Sequence, residues 1–152
     1  MQDRAYTRAM QAFWKHKHWS EFTPEEWESV CDGCAKCCLF RLEDEDTGER
    51  FYTNVCCDLL DLDACRCTDY PNRSRRQPAC VRVTPEVLTD ASWLPASCAY
   101  RLIAEGRDLP RWHPLVSAQP NAAIVFGRSI RDVAIHERDA GDLEQHLLPD
   151  YR

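Results

Sequence analysis

Cys31-Asp32-Gly33-Cys34-Ala35-Lys36-Cys37-Cys38 places four thiols within eight residues. A CxxC step folds back so that both sulfurs can reach one metal ion. Here the step occurs twice, overlapping at Cys34, and a fourth sulfur follows directly at Cys38. Thiolate is a soft ligand that selects zinc, copper(I) or iron–sulfur clusters over magnesium and calcium. The run therefore predicts a small, irregular α+β fold in which short helices and one or two β-hairpins are organised around a cysteine-ligated metal centre. Adjacent cysteines add a constraint. Successive side chains point to opposite faces of a strand and diverge by about 100° on a helix. Cys37 and Cys38 do not easily share one ion, so two sites, or a polynuclear centre reached from two sides, fit the run better.

On either side of this run the signals are local. Thr23-Pro24-Glu25-Glu26 is a helix start, with Thr23 as N-cap, proline in the first turn and Glu26 closing a capping box. Trp27 and Val30 of that helix face the core, and it delivers the chain to Cys31; Gly33 permits the turn that follows. Downstream, Leu39–Leu42 and Phe51–Val55 read as two strands joined by a turn over Glu43–Glu49, with Asp46-Thr47-Gly48 at its tip. The carboxylates Glu43, Asp44, Glu45 and Asp46 lack EF-hand spacing and read as a solvated turn. Pairing of these strands would carry Cys37–Cys38 and Cys56–Cys57 to the same end of the hairpin.

The rest of the chain bounds this reading. Its 152 residues suit a single cysteine-cluster domain over 1–152, with a metal-binding core at about 24–105 and a supporting segment at about 106–152. Hydrophobic residues make up 44% and charged residues 29%, a globular mixture, and the net charge is −6. An acidic balance argues against nucleic acid or an anionic membrane as partner. No apolar run of about 18 residues suggests a membrane span. The first residues lack the apolar stretch and cleavage site of a secretory signal, so the cytoplasm is the expected location. In that reducing compartment ten cysteines point to metal or redox chemistry rather than disulfides.

Further signals are weaker. Residues 4–16 read as an imperfect amphipathic helix, with His16 and His18 at its solvated end. Cys65 and Cys67 would share one face if extended. Arg73, Arg75 and Arg76 form a small basic patch that reads as a solvated loop or as charge balance for a thiolate centre, ahead of a site for an anionic partner. Thr84-Pro85-Glu86 starts a helix, and Ser97 caps another from about Cys98 to Glu105, closed by Gly106. Cys98 in a first turn suits a thiolate. His113, in a proline-bounded loop, reads as a core or loop histidine rather than a reserve ligand. Ile124-Val125-Phe126 and Ser129–Ile135 read as a second hairpin, and 140–148 as a final helix carrying Leu143, Leu147 and Leu148.

Four segments together, CDGCAKCC, FYTNVCC, CRCTDY and WLPASCAYRLIAEGRDLPRWHP, resemble the YcgN-type cysteine-cluster proteins of bacteria, whose function is unassigned. More broadly, Cys31 to Cys38, Cys57, Cys67-Thr68-Asp69-Tyr70, Arg73 and Cys80 resemble the YkgJ-type CxxCxxCC proteins, described as zinc- or iron-chelating. The resemblance implies a metal centre. A likeness to the cysteine clusters of flagellin lysine methylases extends that implication to an iron–sulfur cofactor. The family pattern has one cysteine where this chain has Cys56–Cys57, aligned with Cys57, which implies that Cys56 is not a ligand. The candidate ligands are then Cys31, Cys34, Cys37, Cys38, Cys57, Cys65, Cys67, Cys80 and Cys98.

The expected function is binding of zinc or iron, in a mononuclear, binuclear or iron–sulfur centre, serving metal handling, electron transfer or a protein partner. Two alternatives stand beside it. One is a metal-dependent enzyme using an open coordination position, with Arg73, Arg101 or His113 as helpers. The absence of HExxH, a phosphate-binding glycine loop or a nucleophile elbow disfavours it. The other is a thiol redox protein acting through Cys31 and Cys34, which lack a thioredoxin-like context.

Overall fold

Short elements separated by turns make up the chain, and a computed structural model describes residues 12–148. They assort into two compact units, each assembled from two separated stretches of sequence. The first comprises the chain up to Asp32 together with Val83–Arg128; the second comprises Gly33–Arg82 together with the chain from Ser129 onward.

The first unit is helical. Helix α1 spans Pro24–Val30 and begins as expected: the Thr23 hydroxyl accepts from the Glu26 N–H, and the Glu26 carboxylate accepts from the Thr23 N–H. That backbone bond, then the bond from Lys17, holds the Glu26 carboxyl below its usual range. Thr23→Ala removes one arm of the box and is expected to cost about 1 kcal/mol, read as a lower denaturant midpoint by tryptophan fluorescence. Helix α3 spans Ala99–Ala104, and Gly106 follows it with φ +71. Its cap position is Cys98, one residue later than the Ser97 expected. Tyr100 ties the two helices together: its ring lies 4.8 Å from that of Trp27 and its hydroxyl donates to the Trp27 carbonyl. Around this pair Phe13, Val30, Leu88, Leu94, Ala99 and Leu109 are buried in one cluster, with Trp14, Trp19, Trp27 and Trp93 packed against it. The second cap-and-proline signal, at Thr84-Pro85, opens a 3-10 segment, Pro85–Asp90, rather than an α-helix. Two single-turn helices, α4 (Pro114–Ser117) and α5 (Ala122–Val125), complete the unit. Of the helix expected over 4–16, residues up to 11 lie outside the described part; Phe13–Lys15 form one 3-10 turn.

The second unit is built on the predicted hairpin. Strands β1 (Leu39–Glu43) and β2 (Arg50–Cys56) pair antiparallel, with Leu39 opposite Cys56 and Glu43 opposite Arg50. The turn is closed by Asp44, whose carboxylate accepts from the Asp46 and Thr47 N–H groups, and by Gly48 at φ +69. The acidic run is thus an exposed turn, as expected. A second, two-stranded antiparallel ribbon joins β3 (Leu60–Asp61) to β4 (Arg66–Cys67).

The last part of the chain departs from expectation. Ile124 and Val125 lie in α5, not in a strand, and Ile130–Asp132 form a 3-10 turn. Only β5 (Ile135–His136) is extended there; it pairs parallel with β2, Val55 opposite Ile135. Leu147–Leu148, expected on a helix, form β6 and pair antiparallel with β2 opposite Thr53 and Tyr52. The reason is tertiary. One edge of β2 is taken by β1, and the unsatisfied N–H and C=O groups of its other edge recruit these two-residue strands. At the centre of the resulting sheet, Thr53 is wholly buried and its hydroxyl donates to the Phe40 carbonyl.

Candidate metal centre

All ten cysteines are thiols rather than cystines. Eight belong to the second unit; Cys31 and Cys98 belong to the first, Cys31 exposed at the C-cap of α1 and Cys98 half-buried at the N-cap of α3.

The hairpin does what its sequence predicts. The Cys57 N–H donates to the Cys38 carbonyl at 3.0 Å, just beyond the Leu39–Cys56 pair, so the two cysteine pairs sit at the same end of the strands. Ahead of β1, residues Lys36–Cys38 form a 3-10 turn entered through Ala35, whose φ is +62; this presents Cys37 to the surface. After β2 the chain turns at once, with the Leu60 N–H on the Cys57 carbonyl, into the β3–β4 ribbon that carries Cys67. The third arm is the turn after the one-turn helix α2 (Arg73–Arg76), in which the Cys80 N–H donates to the Gln77 carbonyl at 2.9 Å.

These arms converge. Burial pushes the half-buried Cys80 thiol up; the Arg73 guanidinium pulls it down, and the sulfurs of Cys37, Cys57 and Cys67 each repel its ionised form. Three thiols from three other segments therefore lie within electrostatic reach of Cys80. The Cys57 sulfur accepts from the Leu59 N–H at 3.4 Å and lies 4.0 Å from Gln77 Nε2. Arg73 is held for its part by stacking 3.7 Å from the Tyr70 ring centre and by donating to the Tyr70 carbonyl. Arg76 pairs instead with Asp69. Among the described residues no three Cys, His, Asp or Glu side chains stand in ready-made ligating positions. An ion bound here would have to draw the sulfurs inward. The donor chemistry fits zinc or iron: the convergent groups are soft sulfurs, and the Arg73 guanidinium that acts on Cys80 would offset part of the thiolate charge.

The other thiols of the second unit are placed differently. Cys34 is buried, and its carbonyl accepts from the Ile130 N–H at 3.1 Å. Cys65 adopts φ +55 and is buried, its sulfur 2.9 Å from the Ser129 hydroxyl and 3.8 Å from the Cys34 carbonyl. The left-handed backbone at Cys65 overturns the extended geometry that would have put Cys65 and Cys67 on one face. Cys56 is wholly buried in β2, and its thiol is pushed up to about 11, first by burial and then by the adjacent Cys57.

The histidines also sort themselves. His113 is wholly buried: Nε2 bonds the Val30 carbonyl at 2.8 Å and Nδ1 accepts from the Leu115 N–H at 3.0 Å. Both ring nitrogens are spent on the backbone, so His113 is a core histidine, as expected. Burial, opposed by the bond to Val30, holds its pKa below the ordinary histidine range. His16 is exposed, and His18 caps the next turn through the Ser20 N–H. Gln77 and Ser129, which touch sulfurs, carried no signal in a single sequence, because an isolated Gln or Ser in a loop looks like any solvated residue.

Comparison with known proteins agrees with this donor chemistry. Residues 30–99 match the CxxCxxCC family model, described as "Putative zinc- or iron-chelating domain". No solved structure matches the chain. The chain is 53% identical over 136 residues to a UPF0260 protein of Granulibacter bethesdensis, covering 90% of this chain and 82% of the relative. It is 54% identical over 144 residues to one from Parvibaculum lavamentivorans, covering 93% and 94%, and 49% identical over 140 residues to one from Vibrio campbellii, covering 91% and 93%. With about half its residues shared over about nine-tenths of its length, the chain belongs to the UPF0260 protein family.

Proposed function

We propose that the protein binds zinc or iron through thiolates, and that Cys37, Cys57, Cys67 and Cys80 form the heart of the site. The observation that carries this reading is the convergence of those four thiols, from the CxxCxxCC run, the end of β2, β4 and the turn after α2, around Cys80. Thiolates gathered this way repel one another, and a bound cation turns that repulsion into attraction. Of the other candidate ligands, Cys34 and Cys38 lie in the same unit as this quartet and are the candidates for a second ion or for completing a polynuclear centre, while Cys31 and Cys98 belong to the first unit. Cys65 is the least suited of the nine, since the Ser129 hydroxyl and the Cys34 carbonyl already satisfy its sulfur. Ten unbridged thiols suit a reducing compartment such as the cytoplasm.

The test is anaerobic purification followed by elemental analysis and a visible spectrum. A brown protein with iron and acid-labile sulfide identifies a cluster; a colourless one with stoichiometric zinc identifies a zinc site. Protein purified without either metal, and failing to take one up after reduction, would overturn the reading. Once loaded, the protein is expected to lose far-UV circular dichroism from its second unit when a strong chelator strips the metal, because thiol-built sites commonly hold their own folds together.

A further inference from the structure

Gln77 occupies a position that the metal-binding reading does not by itself explain. It is the C-cap of α2, and each of its four polar groups is engaged. Its N–H donates to the Arg73 carbonyl at 2.8 Å, and its carbonyl accepts from the Cys80 N–H at 2.9 Å. Its side-chain Oε1 accepts from the Ala79 N–H at 3.4 Å, and its Nε2 lies 4.0 Å from the Cys57 sulfur. A glutamine amide is often ambiguous between its two orientations. Here the Ala79 N–H demands an acceptor, which puts oxygen on that side and the NH2 group toward sulfur. The backbone of Gln77 thus shapes the turn carrying Cys80, while its side chain reaches across 20 positions of sequence to Cys57.

We propose that Gln77 is the positioning residue of the thiolate centre: its carboxamide, locked by Ala79, aims an N–H donor at the Cys57 sulfur and sets where that sulfur stands relative to Cys80. The inference rests on the metal-binding reading above. A donor to a thiolate drains electron density from it and fixes its direction, which is how outer-shell groups tune metal sites. Together with the Leu59 N–H, it makes Cys57 a doubly supported sulfur.

Cobalt(II) is a suitable probe, because its thiolate charge-transfer absorption reports sulfur donation directly. Reduced full-length protein, wild type, Gln77→Leu and Gln77→Glu, is titrated with cobalt(II) in competition with a chromophoric chelator. Gln77→Leu keeps the bulk but loses both the donor toward Cys57 and the acceptor for Ala79. Gln77→Glu keeps the acceptor for Ala79 and turns a carboxylate oxygen toward the sulfur. Both are expected to bind cobalt(II) about 10–100-fold more weakly and to shift the charge-transfer band, with circular dichroism of the loaded proteins unchanged. A purely structural glutamine would lower the melting temperature and leave the band in place, and that result overturns the proposal. So does wild-type affinity with a wild-type band in Gln77→Glu, the variant that preserves the turn. If wild type shows no charge-transfer band, the metal reading itself falls and this proposal with it; if Cys57→Ser retains the band in full, Cys57 leaves the site and the Gln77 proposal falls alone. A wild-type band lost in Cys57→Ser but indifferent to Gln77 removes the proposal alone.

Discussion

Cys67→Ser and Cys80→Ser chains are expected to purify with less than about a tenth of the metal of wild type, while Cys56→Ala keeps its full complement. Loss of an outer-shell partner alone weakens metal sites by about 10–100-fold, and loss of a sulfur that touches the ion costs at least as much. Cys67 and Cys80 stand among the converging thiols, and neither is fully buried. Cys56, by contrast, is wholly inside β2, with a thiol pushed up to about 11. Its replacement by alanine leaves a small void, costs about 1 kcal/mol of stability and leaves the metal untouched. Elemental analysis beside a melting curve separates the two behaviours. Equal metal content in all three variants would remove the quartet from consideration.

His113→Ala is expected to destabilise the first unit by roughly 3–5 kcal/mol, the scale for excising a buried ring. The Val30 carbonyl also loses its donor, which adds the desolvation cost of an unpaired buried group. All five tryptophans of the chain belong to the first unit, so tryptophan emission is the measurement, and the transition should fall by on the order of 10 °C. The same residue gives a pH dependence of definite sign. Burial lowers the pKa of His113 in the folded state. The unfolded chain therefore takes up the proton first as pH drops below about 6.5, the ordinary histidine value. Stability contributed by the neutral ring is complete above that pH and declines as the pH falls toward the folded-state value. Acid also strips metal from thiolates. The comparison to make is thus wild type against His113→Gln, where the variant should lack a one-proton part of the slope. Identical slopes would show that the ring titrates equally in both states.

Where local chemistry decides structure, single residues were enough to read it. Thr23 and Glu26 form the capping box that their spacing predicts. Asp44 and Gly48 close the hairpin turn, and the hairpin brings Cys38 and Cys57 together. His113 reads correctly because a histidine among prolines and apolar residues has few uses besides the core. Where a distant partner decides, the residues mislead. Leu147 and Leu148 fit a helical stripe as well as a strand, and the open edge of β2 settles the matter. Three apolar residues at Ile124–Phe126 carry no period long enough to separate strand from helix. The left-handed backbone at Cys65 is unusual for a residue with a Cβ, and no neighbour announces it. Of the candidate ligands, the CxxC spacing points to the run itself. Which later thiols are carried toward the Cys80 turn depends on two turns, after Cys57 and before Cys80, that only the folded chain defines.

Because each unit draws on two separated stretches, the polypeptide passes from one to the other three times, after Asp32, Arg82 and Arg128. During synthesis the first unit can close once Arg128 has emerged, whereas the second waits for the residues that supply β5 and β6. Until then β2 exposes an unpaired edge, the kind of surface on which nascent chains associate wrongly. Chains arrested between Arg128 and β5 should therefore aggregate through that edge while the first unit is already closed.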